Sequence, residues 1–190
     1  MLTNAHVPIV GFAAWSGTGK TTLLRRLLPI LAGCGIRTGM IKHAHHDFEV
    51  DTPGKDSYEL RNAGATQMLI SSRRRWALMV ERPLEREPAL DEILLDLDQE
   101  FLDLILVEGF KREKFPKIEL HRPSFGRPML HPKDDTIIAV ATDTPPKEAI
   151  SLPLLDLNDP QGIADHLIAS LATHLAPARS LSAEKRIETG

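Results

Sequence analysis

Cysteine is almost missing from this chain of 190 residues: Cys34 stands alone, so no intrachain disulfide can form and a disulfide scaffold is excluded. Cys34 follows an apolar helical run and reads as a small buried hydrophobe. Aromatic residues make up only 5%, which leaves the core to aliphatic side chains. A surplus of one charge sign is missing too. Lys plus Arg is 23 and Asp plus Glu is 26, a net charge of −3. That balance argues against a domain whose main task is binding nucleic acid, which needs a basic surplus. No apolar run reaches the ~18 residues that cross a bilayer, so no membrane span is expected. Val7 to Trp15 is mostly apolar, but no Lys or Arg precedes it, and it does not read as a secretion signal. The chain reads as cytoplasmic.

What is present is ordinary for a soluble protein: 42% hydrophobic and 26% charged residues. A chain of this length buries about 70% of its unfolded surface and needs no metal or disulfide staple. Val7 to Ala13 reads as a buried strand, Thr21 to Ala32 as a leucine-rich helix and Ile36 to Ile41 as a second strand. Lys42 to Lys55 is a long polar loop, and Asp56 to Ala63 a short helix. Gln67 to Ser71 and Trp76 to Glu81 form a hairpin across Arg73-Arg74-Arg75, within an extension over about 66–82. Ala89 to Asp98 reads as an amphipathic helix. Leu102 to Val107, a near-continuous aliphatic run, reads as a strand covered on both faces. Strands follow at Lys117 to His121, Thr136 to Ala141 and Leu152 to Leu157, then a helix over Gln161 to His174. The chain is thus read as one α/β domain over 1–176, a P-loop NTPase-like fold. Its largely parallel β-sheet is flanked by helices, and a disordered tail follows over 177–190.

The strongest motif is Ala14-Trp15-Ser16-Gly17-Thr18-Gly19-Lys20-Thr21-Thr22, a phosphate loop with Ala14 in place of the first glycine. Gly17 and Gly19 let successive backbone amides turn toward phosphate oxygens. The following helix N-terminus adds favourable partial charge. Lys20 is expected to reach the β and γ phosphates, and the Thr21 hydroxyl to ligate Mg²⁺. Ser16, Thr18 and Thr22 complete the phosphate-binding set. Glu108, at the end of Leu104-Ile105-Leu106-Val107, is the acid expected beside the Mg²⁺ shell and, with Lys20, the catalytic pair. Regulatory GTPases space an aspartate three residues before glycine; here Leu106 stands three before Gly109, which speaks against a switch.

The asparagine-lysine-x-aspartate guanine signature is absent. Asp143 follows the Thr136 to Ala141 strand, where a carboxylate can accept from the guanine N1–H and N2–H₂. Asn158 and Asp159 compete for that role. Lys42-His43-Ala44-His45-His46-Asp47 invites a transition-metal reading, but no second ligand cluster accompanies it. The alternative is a polar loop beside the phosphates, with Asp47 or Asp51 meeting Mg²⁺. Lys111, Arg112, Lys114 and Lys117 read either as a dock for an anionic second ligand or as a solvated basic face.

Several segments together resemble the molybdopterin-guanine dinucleotide biosynthesis protein B (MobB) family. They are Phe12-Ala13-Ala14-Trp15-Ser16-Gly17-Thr18-Gly19-Lys20-Thr21-Thr22-Leu23, Ile41 to Asp47, Pro53 to Tyr58, Arg61 to Ala65, Leu106-Val107-Glu108-Gly109-Phe110-Lys111 and Asp156 to Asp159. The resemblance spans about Val7 to His174, and Ala14 fits its pattern. It implies a P-loop GTP-binding fold, weak Mg²⁺-dependent GTP hydrolysis and a homodimer. It also implies a role beside MobA, the guanylyltransferase that joins GMP to molybdopterin. Direct pterin binding and the role of the histidines stay open. Two other readings compete: an ATP-dependent P-loop kinase with Glu108 as acceptor base, and a nickel-chaperone GTPase using His43, His45 and His46.

Overall fold

The computed structural model describes residues 2–44, 48–82, 86–147 and 149–174. The elements are β1 (Ile9–Ala14), α1 (Lys20–Gly33), β2 (Thr38–Lys42), α2 (Asp56–Asn62), β3 (Gln67–Ser71), β4 (Trp76–Val80), α3 (Leu90–Ile93), β5 (Leu104–Glu108), β6 (Lys117–His121), β7 (Ile137–Thr142), β8 (Leu154–Asp156) and α4 (Pro160–His174). They fall into two compact units. The larger is built from the chain before residue 44 and after residue 89, the smaller from Ala44–Ala89.

In the larger unit, six strands form one sheet in the order β2-β5-β1-β6-β7-β8, and every pairing is parallel. The aliphatic run of β5 explains its central place. Leu104 and Leu106 pack into one cluster, Ile105 and Val107 into another, so both sheet faces are covered. The first cluster joins Leu23, Leu24, Leu27 and Leu31 of α1 to Ile163, Leu167 and Leu171 of α4 on one face of the sheet. These leucines recur at helical spacing, as the sequence pattern predicts. The second cluster sets Leu90, Leu94, Phe110 and Phe115 against the opposite face.

The expected Ala89 to Asp98 helix is shorter than its pattern. After α3 the chain tightens into a 3₁₀ turn at Leu94–Asp96. The buried Gln99 is the reason. Its Nε2 donates to the Leu94 carbonyl at 2.8 Å and to the Asn4 carbonyl at 2.9 Å, while its Oε1 accepts from His6 N at 2.8 Å. The Leu94 carbonyl is thereby shared between Gln99 and Leu97 N, at 3.4 Å in the 3₁₀ turn, rather than bonded to Asp98 N as an α-helix requires, and the N-terminal segment is tied down. Cys34 is also corrected: it caps the end of α1 and is exposed rather than buried. The cap is a backbone turn with Gly35 at φ +77°, so the thiol has no core to enter.

The smaller unit holds α2 and the antiparallel hairpin β3–β4, with Leu69 opposite Leu78 and Ser71 opposite Trp76. Ser72 closes its turn, donating its N–H to the Arg75 carbonyl at 2.8 Å, and the three arginines form an exposed tip. Lys55 is the N-terminal flanking residue of α2 and makes no side-chain cap bond. Arg61 of α2 gathers Glu49, Asp51 and Glu81 around its guanidinium. The expected tail over 177–190 lies outside the described residues. Among the described residues no helix is long and apolar enough to cross a membrane.

Candidate functional site

The carboxyl ends of β1, β5, β6 and β7 form one edge of the sheet, where ligands of such folds bind. From β1 the chain enters the loop Trp15–Gly19 and leaves it at Lys20, the first residue of α1. Gly17 and Gly19 take φ of +82° and +105°, backbone states that an L side chain resists. The turn is closed by the buried Thr18, whose Oγ1 donates to the Trp15 carbonyl at 2.7 Å. Ala14 belongs to the strand, with no left-handed φ, so the missing glycine costs nothing there. Ser16, Thr21 and Thr22 are exposed at the loop and the first turn of α1.

Glu108 ends β5 level with Phe12 of β1 and Lys42 of β2. Both Glu108 and Lys111 lie within electrostatic reach of Lys20. Burial holds the Lys20 ammonium below the ordinary lysine range, Lys111 lowers it further, and Glu108 raises it. The turn that brings Lys111 there is strained. Gly109 has φ +109°, and a Cβ on it would meet His43 Cβ at 2.5 Å. Phe110, at φ +49°, is the single non-glycine residue with positive φ among those described. Its ring is buried and stacks on His43 with centroids 4.4 Å apart. The His43 N–H donates to the Glu108 carbonyl at 2.8 Å. Non-glycine residues persist in such conformations only where packing over-determines them, at a cost of about 1–3 kcal/mol.

Asp143 follows β7, the second strand out from the phosphate-loop strand. It pairs with Arg122, which follows β6. The competing residues Asn158 and Asp159 lie between β8 and α4. Asp159 Oδ1 accepts from Gln161 N at 3.1 Å at the start of α4, and Asn158 N is held by Asp156 at 2.7 Å. Sequence reasoning missed Arg122, whose partner Asp143 is 21 residues away. It also missed Glu119, a fully buried β6 carboxylate that accepts from Leu130 N at 2.7 Å and His131 N at 2.9 Å. A charged residue inside an apolar strand is the one local signal that could have found it.

Lys117 does not serve as an anion dock. It is buried, and its Nζ donates to the Glu113 carbonyl and Thr136 Oγ1, each at 2.6 Å. Lys111, Arg112 and Lys114 line a groove with Lys133, but Glu113, Asp134 and Asp135 line it too. Asp47, His45 and His46 lie outside the described residues. No group of three or more His, Cys, Asp or Glu side chains suited to a metal occurs among the described residues.

Comparison with known proteins gives one answer. The profile of the family described as molybdopterin guanine dinucleotide synthesis protein B matches residues 9–143. The molybdopterin-guanine dinucleotide biosynthesis adapter protein of Escherichia coli (strain K12) is 53% identical over 169 residues, covering 88% of this chain and 95% of its own. The Haemophilus influenzae protein of the same name is 43% identical over 164 residues, covering 86% and 89%. The crystal structure of Bacillus subtilis MobB superposes with a TM-score of 0.66 at 28% identity, covering 86% of this chain and 97% of that one.

Proposed function

This chain belongs to the molybdopterin guanine dinucleotide synthesis protein B family, and we propose that it is a cytoplasmic GTP-binding adapter in molybdopterin-guanine dinucleotide biosynthesis, with weak Mg²⁺-dependent GTP hydrolysis, acting with the guanylyltransferase MobA. The observation that carries the nucleotide reading is the loop Trp15–Gly19. It has two left-handed glycines and a half-buried lysine at its exit whose pKa is lowered. Such a lysine gains most from a polyphosphate, because the anion stabilises the charged form that loss of hydration disfavours. Ser16 to Thr22 would cradle the phosphates, with Lys20 on the β and γ groups. Thr21 and Glu108 would hold Mg²⁺, with Asp47 assigned to the same shell from sequence alone. When bound, Mg²⁺ neutralises charge on the β and γ phosphoryl oxygens. Asp143 would read the guanine edge.

Slow hydrolysis accords with how Gln99, Gln161 and Arg122 are held among the described residues. The chain contains three glutamines, Gln67, Gln99 and Gln161. Of these, Gln99 is engaged by the N-terminal segment and Gln161 by Asp165 within α4. Arg122 is held by the Thr18 carbonyl and Asp143 rather than left for a γ-phosphate. An arginine acting on the transferring phosphoryl group is worth about 10³–10⁵ in rate. A homodimer belongs to the same proposal. Leu69, Trp76, Leu78 and Val80 share one exposed face of the hairpin, an apolar strip that a second copy of the chain would cover.

Titration of GTP and ATP, each with Mg²⁺, into the wild type and Lys20→Ala tests the reading. GTP is expected to bind at least about tenfold, or 1.4 kcal/mol, more tightly than ATP. Lys20→Ala should abolish the binding of both. Tighter ATP binding would overturn the proposal in favour of a kinase. Co-purification with MobA then tests the adapter role.

A further inference from the structure

Arg122 is placed between two parts of the site that the sequence sets far apart. Its Nε donates to the carbonyl of Thr18, inside the phosphate loop, at 3.0 Å. Its Nη1 donates to Asp143 Oδ2 at 2.5 Å. Its Nη2 lies 4.0 Å from where a Cβ on Gly19 would stand, so the guanidinium runs alongside the loop backbone. One planar side chain thus spans from the phosphate loop to the end of β7. A guanidinium suits this task because its donors are fixed in a fork, whereas a lysine is a single point charge.

The carboxylate it holds is only half used. Asp143 Oδ1 is shielded from solvent and accepts no hydrogen bond among the described residues. Leaving a buried acceptor empty is unfavourable, and each such atom in a native structure calls for an explanation. A ligand carrying N–H donors supplies one.

The segment after Arg122 is fastened over the same loop. Trp15 Nε1 donates to the Pro128 carbonyl at 2.9 Å. The Arg127 guanidinium lies 5.4 Å from the Trp15 ring centre. Phe125 stands 3.9 Å from a Cβ position on Gly17. The buried Glu119 anchors the far end of the segment through the amides of Leu130 and His131. Residues 122–131 therefore form a strap tied to the phosphate loop at one end and to β6 at the other.

We propose that Arg122 is a positioning residue that couples base recognition to phosphate binding. It clamps Asp143 by one oxygen, presents the other to the N–H edge of a guanine, and fixes that carboxylate relative to the phosphate loop through Thr18. This rests on the reading of the site as a GTP site with Asp143 on the base. A guanine on Asp143 and a triphosphate in the loop then reinforce each other, since each favours the same placement of the strap.

The test measures GTP, ATP and inorganic tripolyphosphate, each with Mg²⁺, on the wild type, Arg122→Gln, Arg122→Lys, Asp143→Asn and the Arg122→Gln/Asp143→Asn double variant. Thermal melting checks that each folds. The ratio of GTP to tripolyphosphate affinity isolates what the base contributes. That ratio should fall about tenfold in Arg122→Gln and in Asp143→Asn, and no further in the double variant, because coupled residues are not additive. Arg122→Lys should lose most of it as well, having charge without the fork. If GTP and tripolyphosphate weaken by the same factor in the Arg122 variants, the residue is only structural and the proposal is overturned. If Asp143→Asn collapses the ratio and neither Arg122 variant does, guanine reading stands and the coupling falls. A wild type without preference for GTP over ATP overturns both.

Discussion

Every residue of β6 and the first four residues of β5 are buried, whereas no residue of β3 or β4 is. The two regions draw on the same kinds of side chain. Leu104, Ile105, Leu106 and Val107 lie between two covered sheet faces, while Leu69 is 60% and Trp76 66% exposed. Apolar pattern sets which residues form a strand. It does not by itself provide the layer that covers them. The larger unit supplies such layers from α1 and α4 on one face and from Leu90, Leu94, Phe110 and Phe115 on the other, so it can hold a strained, narrowly defined loop at its edge. A two-stranded hairpin is at best marginally stable alone. The smaller unit is instead pinned by polar groups, with Arg61 collecting three carboxylates.

The largest expected effect tests whether the hairpin completes itself on a second copy. Leu69→Lys with Leu78→Glu places an opposite-charge pair at directly opposed positions on the exposed face. Cross-strand attraction keeps the hairpin paired while its face becomes polar. Losing roughly 4 kcal/mol of apolar burial should weaken homodimer association about 10³-fold. Sedimentation across a concentration series measures this. Tripolyphosphate affinity, a property of the larger unit, should stay within about twofold of wild type. A dimer that survives unchanged would remove the hairpin from the interface.

A matched pair of truncations comes next in size. Leu106→Ala opens space in a fully buried strand beneath α1 and α4, and should cost about 2–5 kcal/mol in urea unfolding. Leu78→Ala removes the same atoms from an exposed face and should cost under about 1 kcal/mol in the monomeric background. Equal costs would mean that the hairpin face is covered within one chain, and the contrast would fail. Smaller still is Lys111→Ala. Lys111 sits within reach of Lys20 and depresses its pKa. In the free protein its removal should let the Lys20 pKa rise, a shift that ¹⁵N-detected titration of the side chain can follow. With a triphosphate bound, the same change should weaken affinity about threefold to tenfold, since a charge-assisted contact at a partly exposed site is worth about 1 kcal/mol.

Much of this organisation is legible in the chain itself. The glycines of Trp15–Gly19, the five leucines of α1 and the aliphatic β5 are local patterns, each fixed by neighbours within a few residues. The links that build the site are not local. Arg122 meets Thr18 across 104 positions, and Gln99 meets Asn4 across 95. Nothing in the composition of Arg122-Pro123-Ser124 marks its arginine as different from Arg112 or Arg127. The strained Phe110 is equally silent, because Glu108-Gly109-Phe110 gives the glycine away but not the residue after it. The Ala89 to Asp98 helix misled because an amphipathic pattern says nothing of a glutamine side chain arriving from beyond its end.

The smallest effect concerns acid, and it separates the two units by how each is held. In the smaller unit the Arg61 guanidinium, together with the amides of Asp51 and Val50, holds Glu49 below the ordinary glutamate range. A carboxylate lowered in the folded state contributes stability that is fully present above its unfolded pKa, about 4.3. That contribution is lost as pH falls through the lowered folded value. The larger unit loses acid-sensitive bonds too, since hydrogen bonds from Thr136 and the charge of Lys117 outweigh burial and leave Asp134 lowered. Its aliphatic clusters, however, do not titrate. The chain carries one tryptophan in each unit, Trp15 and Trp76, so each can report alone. With Trp15→Phe, Trp76 fluorescence should change first as pH drops below about 4.3. With Trp76→Phe, Trp15 should follow only at lower pH. Added salt should move the Trp76 transition and leave the Trp15 transition nearly in place, because exposed ion pairs are screened and apolar contacts are not. Coincident transitions in both variants would mean that the two units melt as one, and the distinction between a self-covered unit and a polar-pinned one would not hold for the folded chain.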